Sequence, residues 1–452
     1  MQSGFSPETI KALVDAGGFF FSVLSGAAAG LWALVRWLDD RRDQRLQEER
    51  LESARLDQKR LASEQAEQAR RAELERREQE EQGRRAERAA NLICEFSKSK
   101  TPEERAWTAL ALGLYPEETL RLLVCSLGQF SEESVQGVQL ALVSFGSRAV
   151  DEVVRLNRVA RSFEADRDDE PADGVPLYDT ARLLERTKVV LQHILLQMPA
   201  EQISHLVLEG VDLSGARFQG AALQGVGFND CRLEGTIFKR ANLRGASLRE
   251  VSIRGALFTR ASLNGADFSD AFGAAEMIKV HADDARFDRA LLQETNFDGA
   301  SLKRASFVRT QLEDASLQGA QLHDARLENA WLGRVHGRKL VAPEASFRHV
   351  KLQHGDLEEA RLTKALFEQC ELNGARAKGM DADGVIFRNC NLGGVDFSGS
   401  RLADACFAGC NLGGADFRGS VLEGAEFRHC TNGGSAHFDQ AGQDGARFVE
   451  CG

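Results

Sequence analysis

The sequence predicts a β-solenoid preceded by an all-α region, and three observations carry that reading. A large apolar residue recurs every five positions from Leu208 onward. Within the same run, residues of one kind recur every twenty positions. Ahead of it lie an uncharged stretch of 20 residues and a long Arg-, Glu- and Gln-rich stretch with almost no Gly or Pro.

The five-residue period runs through Leu208, Leu213, Phe218, Leu223, Phe228, Leu233, Phe238, Leu243, Leu248, Ile253, Phe258, Leu263 and Phe268. A smaller side chain stands two residues before each, as at Val211, Ala216, Ala221, Val226, Cys231 and Thr236, and polar residues fill the rest. Such a period fits neither a helix face nor an alternating strand. It suits a solenoid that turns a corner every five residues and directs two of them inward. Cys370, Cys390, Cys410 and Cys430 are spaced by 20, and so are Phe347, Phe367, Phe387, Phe407 and Phe427. Four units therefore make one coil, each set forms a ladder on one wall, and the walls alternate Phe, Leu, Phe and Leu. At ~4.8 Å per coil, about twelve coils give a rod roughly 60 Å long.

The unit Ala241-Asn242-Leu243-Arg244-Gly245 and its many copies resemble the pentapeptide-repeat proteins, over a little more than half of the chain. The resemblance implies a right-handed quadrilateral β-helix for 205–452. It also implies one functional option, because some members protect DNA gyrase by resembling duplex DNA, as compact cytosolic dimers joined by a C-terminal helix. Here 205–452 holds 29 basic and 33 acidic residues, well mixed, and ends Phe448-Val449-Glu450-Cys451-Gly452 without a helical pattern. A DNA-mimic, gyrase-protecting role is thus the lesser alternative, and no basic stripe points to nucleic acid.

The repeat slips after Phe268 and resumes one residue out of step at Phe287, so 272–284 is expected to be an irregular corner. Residues 333–345 are expected to be a second interruption, since Pro343 cannot donate to a ladder. A third slip lies between Phe427 and Phe438. Irregular loops on a regular rod are candidate binding points.

Residues 1–15 read as a short extracytoplasmic N-terminus. The uncharged residues 16–35 are enough to span a bilayer as a helix, drawn here at 16–38 with Trp32 and Trp37 at one end. Only Lys11 is basic ahead of it, which argues against a secretory signal. Arg36, Arg41, Arg42 and Arg45 follow it, so the positive-inside rule places the N-terminus outside and the rod in the cytoplasm. The expected location is the bacterial inner (cytoplasmic) membrane, single-pass. Gly18, Ser22, Gly26 and Gly30 share one helix face, where small side chains let membrane helices pack into a homo-oligomer. Residues 39–95 read as a charged spacer helix, or a weak coiled coil if the membrane helices associate, because Leu46, Leu51, Leu56, Leu61 and Leu74 make no clean heptad. Such a helix spans roughly 75 Å. Residues 96–160 carry short helical patterns at 106–114, 117–127, 132–145 and 149–159, separated by Gly113, Gly128 and Gly146, that resemble HEAT-type repeats. Residues 161–179 read as a polar linker, and 180–200 as a helix capping the open end of the first coil.

No set of residues assembles into a catalytic constellation. Six of the nine cysteines (Cys231, Cys370, Cys390, Cys410, Cys430 and Cys451) occupy the small inward position and read as compact hydrophobes. Parallel stacking suits neither tetrahedral metal closure nor an unstrained disulfide, and the odd count favours a reducing compartment. His281, His323, His336, His349, His354, His429 and His437 fall at outward or irregular positions without a shared column. There is no phosphate-binding glycine loop and no nucleophile motif. The expectation is therefore no catalytic, cofactor or metal residue. The chain reads as a membrane-anchored, non-enzymatic scaffold presenting a cytoplasmic rod to an unidentified cytoplasmic protein. The alternative is an effector whose membrane helices oligomerise when the rod senses a trigger.

Overall fold

A computed structural model describes residues 58–95, 116–125, 132–165 and 180–451 apart from 443, with isolated positions at 36, 41–42, 55–56, 98, 101, 108, 111–112 and 127–128. The predicted N-terminus 1–15 and transmembrane helix 16–38, with Gly18, Ser22, Gly26 and Gly30, lie outside the described residues except for Arg36. Among the described residues no helix is long and apolar enough to cross a membrane. The chain divides into two compact units, Met1–Arg84 and Arg85–Gly452.

In the first unit, 58–84 is helical and exposed. Ion pairs one turn apart line it, Glu67–Arg71 at 2.8 Å and Glu73–Arg77 at 2.7 Å in the favourable order with Glu first, and Arg60–Glu64 at 3.4 Å and Arg76–Glu80 at 3.0 Å in the reverse order. Leu61 and Leu74 remain exposed among the described residues.

The second unit begins with helices that bury one stripe each. They are α1 (Pro116–Cys125), α2 (Glu132–Ser144), α3 (Ser147–Ala165), α4 (Thr180–Gln197) and the single turn α5 (Ala200–Ile203). Val150, Val153, Val154, Asn157 and Ala160 of α3 are buried at helical spacing and pack with Val190, Leu191, Ile194 and Leu195 of α4. Gly146 ends α2 in the left-handed conformation at φ +59°, where glycine carries no steric penalty. Arg186 of α4 donates to the Leu127 carbonyl at 2.6 Å. Helix α3 runs to Ala165, into the stretch expected to be linker, because its last two turns are held on the first coils as described below.

Beyond α5 every five-residue unit repeats one geometry. In Asp212-Leu213-Ser214-Gly215, Leu213 is buried, Gly215 has φ +71°, and the Leu213 carbonyl accepts from the Ala216 N–H at 2.9 Å. A positive φ at the third residue marks a type II turn. The same corner holds Arg240, Arg260 and Arg304 at φ +56° to +58°, a conformation disfavoured for them but imposed by the ladder on both sides. Position 207 pairs in parallel through Gly227, Ser247, Asp267, Arg286 and Ser306 to Arg447. The last seven steps of that wall join strands β1 (Ser306–Val308), β2 (Arg326–Glu328), β3 (Ser346–Arg348), β4 (Leu366–Glu368), β5 (Ile386–Arg388), β6 (Cys406–Ala408), β7 (Glu426–Arg428) and β8 (Arg447–Val449). Three further ladders start at Asp212, Arg217 and Ala222. They are called walls 2, 3 and 4 after the first.

The core is a filled column of side chains. On wall 1, Phe347, Phe367, Phe387, Phe407 and Phe427 stack at 4.4, 4.9, 5.2 and 4.6 Å between ring centroids. Rings of wall 3 meet them edge-on, as Phe417 meets Phe427 at 5.8 Å and 88°, both favoured aromatic geometries. Leucines of walls 2 and 4 fill the space between. Wall 4 departs from the pattern three times, with Val280/Ala282, Leu340/Ala342 and Met380/Ala382 placing the larger side chain at the position usually small. Volume is exchanged within a unit, and around Leu340 the exchange leaves a small apolar gap bounded by Leu322, Val335 and Leu357.

The slips differ from expectation. Between Phe272 and Glu276 one residue is missing, the pairing interval falls from 20 to 19, and regular units resume at once, so 276–284 is not irregular. Gly273 absorbs the loss at φ +102°, where a Cβ would sit 2.8 Å from the Arg254 backbone nitrogen. Nor is 333–345 interrupted, since Gln321, Val341 and Arg361 pair in sequence at intervals of 20. Pro343 occupies the second turn position, which suits its fixed φ. There the N–H of equivalent residues Ser214, Ser269 and Ser398 turns to the side chains of Asp212, Asp267 and Asp396 rather than to the next coil. The third slip is a one-residue insertion, taken up by a short 3₁₀ turn at Gly433–Ser435 before Asp416 pairs with His437.

Candidate interaction surfaces

The first coil has no coil beneath it, and its edge donors need partners. Inside the solenoid the outward residue of a unit donates to the coil below, as Arg232 does to the Val211 carbonyl at 3.0 Å and Ile237 to the Ala216 carbonyl at 2.8 Å. At the first coil the helices take over. The Asp212 N–H donates to Asn157 Oδ1 at 3.0 Å and the Arg217 N–H to Gln192 Oε1 at 2.8 Å. Arg161 donates to the carbonyls of Gly210 and Asp230 at 2.8 and 3.0 Å, and Arg158 to that of Glu209. Sequence reasoning placed a cap in 180–200 but missed α3. The available signal was Asn157, a polar residue inside the buried Val150–Ala160 stripe. His193 of α4 is half-buried, with Nε2 buried and unbonded, and desolvation lowers its pKa. The unfolded chain binds the proton more readily, so stability is expected to fall as pH drops below about 6.5. His193→Gln should flatten that part of a thermal-melting profile against pH.

Three inward hydroxyls donate to the carbonyl 23 residues earlier, on the coil below: Thr236 to Leu213 at 2.9 Å, Thr310 to Phe287 at 2.7 Å, Ser400 to Ala377 at 2.7 Å, whereas Ser420 donates to Phe417 three residues earlier at 2.6 Å. The thiols also donate one coil down, Cys370, Cys390, Cys410 and Cys430 to Phe347, Phe367, Phe387 and Phe407 at 3.2–3.4 Å, and, past the inserted residue, Cys451 to Phe427, 24 earlier, at 3.3 Å. All nine cysteines are free. Burial pushes the Cys231 thiol up to about 12 and Cys430 to about 11. Contact with Cys390, with burial added, pushes the Cys370 and Cys410 thiols up as well. Cys390→Ala with Cys410→Ala is expected to cost no more than about 1–2 kcal/mol, measured by urea unfolding, because Ala already fills most equivalent positions.

Outward residues form fixed columns. Arg289, Arg304 and Arg334 reach one coil down to Asp270, Asp284 and Asp314 through paired bonds of 2.6–2.8 Å, and these contacts hold the three carboxyls below their usual range. His281 lies on wall 4 and His336 and His437 on wall 3, while His323 occupies a corner. His349 and His354 sit at successive corners with φ +53° and +55°, and His429 bonds Glu450 at 2.8 Å. Among the described residues no group of three or more His, Cys, Asp or Glu could hold a metal ion.

Family models described as "Pentapeptide repeats (8 copies)" match residues 203–240, 236–272 and 283–319, and "Pentapeptide repeat region" matches 360–438. The solenoid is a pentapeptide-repeat domain. The unmatched residues 273–282 and 320–359 contain the tightened corner and the Leu340/Ala342 exchange, yet the pentapeptide ladder runs through both. Among solved structures, HetL from the cyanobacterium Nostoc sp. Strain PCC 7120, a pentapeptide repeat protein involved in heterocyst differentiation regulation, is 24% identical over 48% of this chain and 88% of its own, with a TM-score of 0.21. Trypsin-treated QnrB1, a plasmid-mediated fluoroquinolone resistance protein, is 18% identical over 43% of this chain and 87% of its own, with a TM-score of 0.31. A pentapeptide repeat protein from the thylakoid lumen of Arabidopsis thaliana is 26% identical over 28% of this chain and 73% of its own, with a TM-score of 0.17. None of these likenesses bears on function. No curated protein matches the chain.

Proposed function

We propose that this chain is a non-enzymatic interaction scaffold, anchored in a membrane through 16–38, whose pentapeptide-repeat domain binds a protein partner on its outer walls. The observation that carries the reading is the exposure of Phe272, Leu291 and Trp331, each 43% accessible, at outward positions that are polar in most units. Large apolar side chains held outward on a continuous ladder lose little freedom on binding, which favours association. A photo-crosslinking residue replacing Trp331 in the native host should yield a discrete adduct with another protein. Only uncrosslinked chain would overturn the scaffold reading. Deleting 16–35 should move the chain from the membrane to the soluble fraction, and an unchanged distribution removes the anchor.

A further inference from the structure

Resting on the scaffold reading, we infer that wall 2 of the pentapeptide-repeat domain docks an amphipathic helix of a protein partner, with a Lys or Arg at one end of its apolar face. The outward column of that wall pairs Asp212, Arg232, Ser252, Phe272, Leu291, Gln311, Trp331 and Lys351 in succession. Phe272 and Leu291 are direct neighbours on this wall, 19 residues apart because one residue is lost at Gly273. Trp331 stands two coils above Leu291, and the Lys351 ammonium lies 5.0 Å from its ring centroid, closing the upper end of the stripe with a charge.

Immediately below Phe272 the same wall sinks into an open hollow of about 450 Å³, whose edge Phe272 forms. Asp212, Asp230, Glu234 and Glu250 line it with Arg161 and Arg232. Both guanidinium groups are engaged, Arg232 with Asp212 at 3.8 Å and Arg161 with Asp230 at 4.0 Å and two backbone carbonyls. Glu234 accepts only from the Ser252 hydroxyl, at 2.8 Å, and neither it nor Glu250 forms an ion pair among the described residues. The hollow therefore carries two uncompensated carboxylates beside an apolar stripe, which selects a cation followed by apolar groups.

The spacing selects a helix. One coil rises ~4.8 Å, close to the ~5.4 Å pitch of an α-helix. A helix lying along the column thus meets each coil with about one side chain per turn. From Ser252 to Trp331 is four pairing steps, roughly 19 Å and about thirteen helical residues.

The test uses the detergent-solubilised full chain and a phage-displayed library of 14-residue helical peptides with one face randomised. Enriched peptides are expected to carry Lys or Arg at one end of an apolar stripe. Their binding, read by fluorescence polarisation, should weaken at least tenfold with Trp331→Ser or Phe272→Ser, provided circular dichroism is unchanged. It should also weaken with Glu234→Gln plus Glu250→Gln, more at low salt than at high salt. Peptides that bind wild type and all variants equally would overturn the wall 2 assignment while leaving the scaffold reading intact. Enrichment of acidic or uncharged peptides would overturn the partner chemistry. No enrichment would overturn the inference, and together with no crosslinked adduct it would overturn the scaffold reading as well. If Trp331→Ser instead converts an oligomer to a monomer in sedimentation, the stripe holds a second copy of the chain, and the inference fails.

Discussion

Leu402→Asp is expected to unfold its coil and those stacked on it. Leu402 is fully buried on wall 4, between Ala382 and Leu422 of the adjoining coils. The substitution forfeits roughly 1.5–3 kcal/mol of apolar burial and forces either a buried charge or a protonated carboxyl into hydrocarbon. A total beyond about 4 kcal/mol is expected, and neighbouring coils share it because each is stabilised by the next. The control lies one residue away. Arg401 faces outward and contacts Asp383 at 2.7 Å and Asp381 at 3.7 Å. From sequence alone Arg401→Asp looks silent; in the structure it adds a third carboxylate to two others, so a small loss is expected, and Arg401→Ser is the cleaner control. Equal loss of β-sheet circular dichroism in Leu402→Asp and Arg401→Ser would contradict the inward and outward assignment.

Asn157→Leu is expected to open the first coil. Asn157 is fully buried, accepts from the Asp212 N–H at 3.0 Å and donates to Thr187 Oγ1 at 2.8 Å. Leucine leaves the Asp212 N–H without this acceptor and Thr187 Oγ1 with only its bond to the Leu184 carbonyl, at a cost of about 1–3 kcal/mol. Gln192→Leu removes the matching acceptor from Arg217, but Arg217 is exposed and water can replace it, so that variant should cost less. Hydrogen exchange at the Asp212 amide reads the difference. Comparable protection in wild type and Asn157→Leu would show that the cap does not stabilise the edge.

The solenoid was legible because its rule is local. Most units place a large apolar residue in the middle, a small one two before it, and a corner residue that tolerates positive φ. Counting by five and by twenty therefore identifies which side chains share a column, including the Cys370–Cys430 and Phe347–Phe427 sets. The same counting cannot say what a broken count becomes. A missing residue after Phe272 reads as an irregular loop, yet Gly273 at φ +102° closes it against the Arg254 backbone. Residues 333–345 read as an interruption, yet Leu340 turns inward where Ala342 is small and Pro343 sits where the ladder needs no donor.

Sequence alone thus determined the repeat, its walls and the helical character of what precedes it, since each depends on residues a few positions apart. Tertiary structure decided the cap and the candidate surface. Asn157 and Asp212 are 55 residues apart, and Phe272 comes beside Leu291, 19 residues on, only once the coils stack. Such contacts are set by which backbone groups remain unsatisfied at an edge and by how a corner absorbs one residue, and both are properties of stacked coils rather than of any single unit.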